Sequence, residues 1–117
     1  MLNYRLEHQA GLTFAALADP SRRGIVARLA RGPASVSELA QLSAASLPAV
    51  MQHLQVLEES GPVRSAKKGR VRTCWVEPKA LSAAEQWIAE QRSIWEARAD
   101  RLGDYLQELK AKEQDNG

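Results

Sequence analysis

Cysteine is almost missing from this chain: Cys74 is the only one. An intrachain disulfide framework is therefore excluded, and the composition fits a reducing cytoplasm. Long apolar runs are missing too. No stretch approaches the roughly eighteen residues of a membrane span, and the opening MLNYRLEH lacks the apolar run of a signal peptide; no membrane partner is expected. Catalytic groupings are equally absent. Neither His8 nor His53 is accompanied by a serine–histidine–acid set, and there is no glycine-rich phosphate loop. No enzymatic activity and no cofactor are expected. The sequence carries no internal repeat or low-complexity segment. What is there is a chain of 117 residues, 44% hydrophobic and 26% charged, the composition of a single globular domain of residues 1–117. A chain this short builds a modest core and gains by dimerising.

The net charge of +2 is unevenly placed. Residues 1–18 are neutral, residues 19–79 hold ten Lys/Arg against five Asp/Glu, and residues 80–117 hold five against eight. A basic middle and an acidic tail imply that the middle alone faces a polyanion.

Residues 3–18 have helical spacing in Leu6, Ala10, Phe14 and Leu17. Asp19-Pro20 then breaks the chain and starts a second helix over 21–30, capped by Asp19, with Ile25, Val26 and Leu29 inward. Gly32-Pro33 closes it. Ser35 and Glu38 have the spacing of a capping box. They open a short helix through Val36, Leu39, Ala40 and Leu42, and Ser43-Ala44-Ala45 turns the chain again.

The segment from Ser46 to Gly61 reads as an amphipathic helix with a start and a stop. Ser46 is an N-cap, Pro48 suits the first turn, Gly61 supplies a left-handed terminus, and Pro62 blocks continuation. Val50, Leu54 and Leu57 share one side; Pro48, Gln52, Gln55 and Glu59 share the other. Amides that both donate and accept suit a face reading base edges in a major groove; the alternative is a solvated surface helix. His53 falls at the edge of the apolar side, where packing is expected. A short helix, a tight turn and this second helix, residues 35–61, make a helix-turn-helix.

Residues 62–77 change character. Val63 to Lys67 and Val71 to Val76 suit two strands, with Lys68-Gly69 as the turn. Arg64, Lys67, Lys68, Arg70 and Arg72 crowd this hairpin with no acid between Pro62 and Val76. Such a concentration of like charge repels itself unless an anion neutralises it, so phosphate contact is expected. From Leu81 to Lys112 runs one long helical pattern: Leu81, Ala84, Ile88, Trp95, Leu102, Leu106 and Leu109, widened by Trp87, Ile94 and Tyr105. That stripe exceeds what one short chain can cover, and a partner helix is expected. Residues 113–117 are expected to fray.

Taken in order, LADPSRRGIVARLARGPASVSELA, SLPAVMQHLQVLEESGPV, KKGRVRTCWVEP and the long helix resemble the ArsR-type winged helix-turn-helix transcriptional regulators, over roughly residues 12–110. The most specific parts are Leu17-Ala18-Asp19-Pro20-Ser21-Arg22-Arg23 and Gln52-His53-Leu54 followed by Leu57 and Gly61. The resemblance implies a mainly α fold with a small β-hairpin wing, dimerising through helices at 1–18 and 80–112. It implies a homodimer on a double-stranded DNA operator, usually as a repressor. Ser46, Ala49, Gln52 and Gln55 match positions that face DNA, with Pro48 on the same side, and Arg70 and Arg72 match wing residues beside Lys67 and Lys68. Leu6, Phe14, Trp87, Ile88, Trp95, Leu102 and Leu106 fall on the helices that form the dimer interface.

Departures from the family pattern are specific. Met51 stands where serine is common, which removes one usual DNA contact, and Pro62 stands for an aliphatic residue, which alters the approach to the wing. Cys74 and Trp75 replace residues that are often tyrosine and a polar residue. Trp75 is expected to be exposed, and Cys74 to be a small core residue or, if exposed beside arginine, a redox switch. Relatives sense metals through thiolate pairs before the turn, where this chain has Glu38-Leu39-Ala40-Gln41-Leu42, or through His and acidic residues on the terminal helices. His8 is read as exposed or packed, and Asp100 and Asp104 as a solvated acidic face, so no metal is expected. Two further readings stand beside the DNA-binding homodimer: a winged-helix protein-interaction module, and a regulator holding a small-molecule effector near Phe14, Trp87 and Trp95.

Overall fold

A computed structural model describes residues 4–116. The element order is α1 (Tyr4–Leu17), α2 (Pro20–Leu29), β1 (Ala34–Ser35), α3 (Val36–Leu42), α4 (Leu47–Ser60), β2 (Val63–Lys68), β3 (Val71–Val76) and α5 (Pro78–Asn116). Two compact units divide the chain, the first ending at residue 85 and the second formed by the rest of α5.

The helix boundaries follow from their caps. Asp19 accepts the backbone N–H groups of Ser21 and Arg22, and the bond from Arg22 chiefly holds its carboxyl below the usual carboxylate range. The arginines after it work backwards. Arg22 Nε donates to the Ala16 carbonyl at 2.6 Å, and Arg23 Nη1 to the Leu17 carbonyl at 2.7 Å. The carbonyls orphaned at the end of α1 thus gain cationic donors where the helix dipole favours them. The Asp-Pro-Ser-Arg-Arg run is a structural corner joining α1 to α2. At α3, Ser35 Oγ accepts the Glu38 N–H at 3.1 Å. The expected capping box is only half formed, because the Glu38 carboxylate takes the Ser35 hydroxyl and Ser35 itself belongs to β1. At α4, Ser46 accepts the Ala49 N–H, and Gly61 ends the helix at φ 105°.

The core of the first unit gathers Ala16, Ile25, Leu29, Ala34, Leu39, Val50, Leu54, Leu57, Val63 and Cys74. Val50, Leu54 and Leu57 are the inward side of α4, as their spacing predicts; Val26 is only partly buried. On α1 the buried face is made of small residues. Ala10, Thr13 and Ala16 are buried, while Leu6 and Leu17 are half-buried and Phe14 is exposed. The interior accommodates small residues there because α1 is drawn close by polar bonds. Gln9 Nε2 donates to the Ser60 carbonyl at 2.9 Å, and the Thr13 hydroxyl donates to the Ala80 carbonyl at 3.4 Å. Leu42, the last residue of α3, is 69% exposed.

The sheet has three antiparallel strands in the order β1-β3-β2. β1 is two residues long, paired Ala34 to Cys74 and Ser35 to Thr73, and has no counterpart in the expected hairpin. The turn is Gly69-Arg70 rather than Lys68-Gly69, since Lys68 pairs with Val71. Positive φ at Gly69 alone (63°) matches a type II′ hairpin with glycine first. Pro62 leaves the approach to the wing in register: Val63 pairs with Val76, and the Pro62 carbonyl accepts the Glu77 N–H at 2.9 Å. Cys74 is buried and burial pushes its thiol up, which fits the packed-core reading and removes the exposure that a redox switch needs. Trp75, on the opposite strand face, is half-buried rather than exposed and lines a cavity of about 520 Å³ with Leu29, Pro33 and Leu81.

Helix α5 starts at Pro78, ahead of the expected Leu81, and buries Ala80, Ala83 and Ala84 within the first unit. It continues through Asn116, past the expected end at Lys112; residues 1–3 and 117 of the expected segments lie outside the described residues. The apolar repeat stops at Leu109, but Lys110-Ala111-Lys112-Glu113-Gln114 are strong helix formers and prolong the helix without a core. In the second unit every residue described from 86 to 114 is exposed, including Trp87, Ile88, Trp95 (68%), Leu102 and Leu106. None of the helices is long and apolar enough to cross a membrane, among the described residues.

Candidate nucleic-acid interface

Helix α3, the turn at Ser43–Ala45 and helix α4 present the outer side of α4 to solvent. The turn is pinned by the Ser43 hydroxyl, which accepts the Ala45 N–H at 3.0 Å. Pro48, Gln52, Gln55 and Glu59 are all exposed on α4, Ser46 is exposed at its cap, and Ala49 is half-buried at the edge. Gln55 Nε2 donates to Glu59 Oε1 at 3.1 Å, which fixes one amide of this face along the helix. Gln52 is exposed beside it.

The wing carries its cations in two sets. On the face of β2 and β3 that continues from buried Val63 and Cys74 lie Ser65, Lys67 and Arg72. Lys67 is directly opposite Arg72, a like-charge cross-strand pair that destabilises a hairpin standing alone. Lys68 and Arg70 follow at the tip, both exposed. Among the described residues Lys67, Lys68 and Arg70 make no ion pair, whereas Arg64 Nε meets Glu77 Oε2 at 3.2 Å. The expected five-cation cluster is thereby reduced to four, since Glu77 lies just beyond the segment that has no acid.

A link between helix and wing was not foreseen. Arg72 Nη1 donates to Ser65 Oγ at 2.8 Å, and the Ser65 hydroxyl donates to a Glu58 carboxylate oxygen. Glu58 is on α4, one turn past Gln55, so the chain Arg72–Ser65–Glu58 couples α4 to the wing. Ser65 and Arg72 are diagonal neighbours across the ladder, a relation visible once register is known but hidden in a sequence without it. Between α4 and the wing lies an open groove of about 500 Å³ bordered by Leu47, Met51, Gln52, Gln55, Glu58 and Arg72. Leu6 and Phe14 belong to α1, and Trp87, Ile88, Trp95, Leu102 and Leu106 belong to the second unit. Among the described residues no group of three or more His, Cys, Asp or Glu is placed to hold a metal ion, and Asp100 and Asp104 are exposed on α5.

A helix-turn-helix followed by a basic two-stranded wing defines a winged helix-turn-helix protein. Residues 17–65 match the family model of a helix-turn-helix domain. The HTH-type transcriptional regulator Rv2034 of Mycobacterium tuberculosis is 43% identical over 83 residues, which cover 71% of this chain and 75% of that protein. A crystal structure of an ArsR family transcriptional regulator is 49% identical, with a TM-score of 0.75, covering 82% of this chain and 97% of the other. The fold is also that of a homodimeric winged helix-turn-helix DNA-binding domain from Mycobacterium bovis, described as a possible ArsR-family regulator, at 24% identity and TM-score 0.61 over 78% of this chain and 86% of that one. The chain belongs to the ArsR family of helix-turn-helix transcriptional regulators.

Proposed function

We propose that this regulator is a homodimeric repressor that occupies a promoter operator and acts by occupancy, without catalysis. Helix α4 enters the major groove, where Gln52 and Gln55 read base edges and Ser46, Pro48 and Ala49 approach the duplex at the N-terminal end, the end that helix-turn-helix proteins insert. Lys67, Lys68 and Arg70 contact phosphates from the wing, and Arg72 sets the wing against α4 while adding its charge. The observation that carries this reading is the cross-strand Lys67–Arg72 pair beside the exposed amide face: like charges opposed on a small hairpin are tolerated best where a polyanion neutralises them. Dimerisation is supported by the exposed apolar residues of α5, Trp87, Ile88, Trp95, Leu102 and Leu106, together with Leu6 and Phe14 of α1. The Mycobacterium bovis relative is described as homodimeric.

The test is a fluorescence-anisotropy titration of the protein against its own upstream DNA and a scrambled duplex at several salt concentrations. Selective binding is expected, at two chains per site. If a dimer neutralises about eight phosphates, log K should fall with log salt at a slope of about −7. Weak and equal binding to both duplexes at every salt concentration would contradict the proposal.

A further inference from the structure

The outer surface of α4 is not uniformly polar. Leu47 and Met51, one helical turn apart, are 48% and 55% exposed, and Pro48 is exposed beside them. They form a row between the buried side of the helix (Val50, Leu54, Leu57) and the amides Gln52 and Gln55. This row borders the groove that Arg72 closes from the wing. We propose that it reads thymine: Leu47 and Met51 pack against C5-methyl groups of A·T pairs in the operator half-site. The proposal rests on the reading of α4 as the helix that enters the major groove.

Three observations lead to this occupant. The row is continuous with the amide face: Met51 is one turn from Gln55, and Pro48, beside the row, is one turn from Gln52. Arg72 borders the same groove from the wing, with Lys67 opposite it on the ladder, and this positive charge matches a duplex and opposes an apolar cationic ligand. The row also sits on the first two turns of α4, the part of a reading helix that reaches base edges. Of the groups exposed on base edges in the major groove, the thymine methyl is the apolar one; the rest are donors and acceptors that an alkyl side chain would strip of water without compensation. The two kinds of side chain then agree on one base pair. A glutamine amide pairs bidentately with adenine N6 and N7, and the thymine opposite that adenine carries the methyl. Methionine, unbranched and polarisable, adapts to a methyl whose position shifts with local twist.

The experiment is selection of binding sites by the full chain from a randomised duplex pool. Each thymidine of the enriched site is then replaced, one at a time, by deoxyuridine, which lacks only the methyl. One or two positions in each half-site are expected to lose affinity about fourfold per methyl, and about fifteenfold when changed symmetrically. In the doubly substituted Leu47→Ala, Met51→Ala protein, whose changes are at exposed positions, thymidine and deoxyuridine should become equivalent there, with the amide-dependent preference for adenine kept. Equal affinity of thymidine and deoxyuridine duplexes at every position would overturn the proposal while leaving sequence-specific binding intact. Discrimination that survives in the double variant would overturn it too. A pool that yields no enriched sequence would overturn the reading of α4 itself, and this inference with it.

Discussion

Gly61 is under two constraints, and only one of them is legible in the sequence. A glycine followed by proline at the end of an apolar helix repeat announces a left-handed terminus, and φ is 105°. The second constraint comes from a residue 52 positions away: a Cβ at Gly61 would stand 2.7 Å from Gln9 Nε2, which holds the Ser60 carbonyl. Gly61→Ala should therefore destabilise the fold by about 2 kcal/mol, from the strained backbone together with the displaced hydrogen bond. Urea denaturation of Gly61→Ala, Gln9→Ala and the double variant checks this. The double variant should be less destabilised than the two single losses added together, and strict additivity would contradict the contact. Cys74 illustrates the same limit. Its place as a small core residue was readable, but its partner Ala34, on a two-residue strand that leaves no periodic signal, was not.

At the scale of elements, helices were legible where a side chain caps them. Asp19, Ser35, Ser46 and Gly61 mark ends that the structure places within a residue or two. The inward face of α4 was also legible, because three large aliphatic residues define it. The inward face of α1 was not, since alanines and a threonine carry too little hydrophobic contrast to set a direction. The turn was displaced by one residue because Lys68 and Arg70 are chemically similar neighbours of the single glycine. The join between α4 and the wing was illegible altogether: it depends on Glu58, Ser65 and Arg72 meeting across two elements. Ser65→Ala removes this join without removing a cation. It should lower operator affinity about tenfold, in line with the loss of a hydrogen bond to charged groups, and leave the salt slope unchanged. Anisotropy titrations at three salt concentrations would measure both quantities. Unaltered operator affinity would mean that the wing is held by its backbone ladder alone.

At the scale of the whole molecule, the family was legible through the resemblance of Leu17 to Arg23 and of Gln52-His53-Leu54, with Leu57 and Gly61, to known regulators in this order and spacing; the basic middle and acidic tail pointed only to a polyanion. The candidate interface divides by what each part asks of the duplex. In the proposed function the amides of α4 would answer to which bases are present, and the wing cations to phosphates alone. The most direct test titrates the wild type, Gln52→Ala and the combined Lys67→Ala, Lys68→Ala, Arg70→Ala protein against a selected operator and a scrambled duplex over a range of salt. Gln52→Ala should lose about 1–3 kcal/mol at one base pair of each half-site on the operator and nothing on the scrambled duplex. The wing variant should weaken both duplexes alike and flatten the salt slope by about five. Equal losses on operator and scrambled duplex for Gln52→Ala would contradict the assignment of base reading to α4.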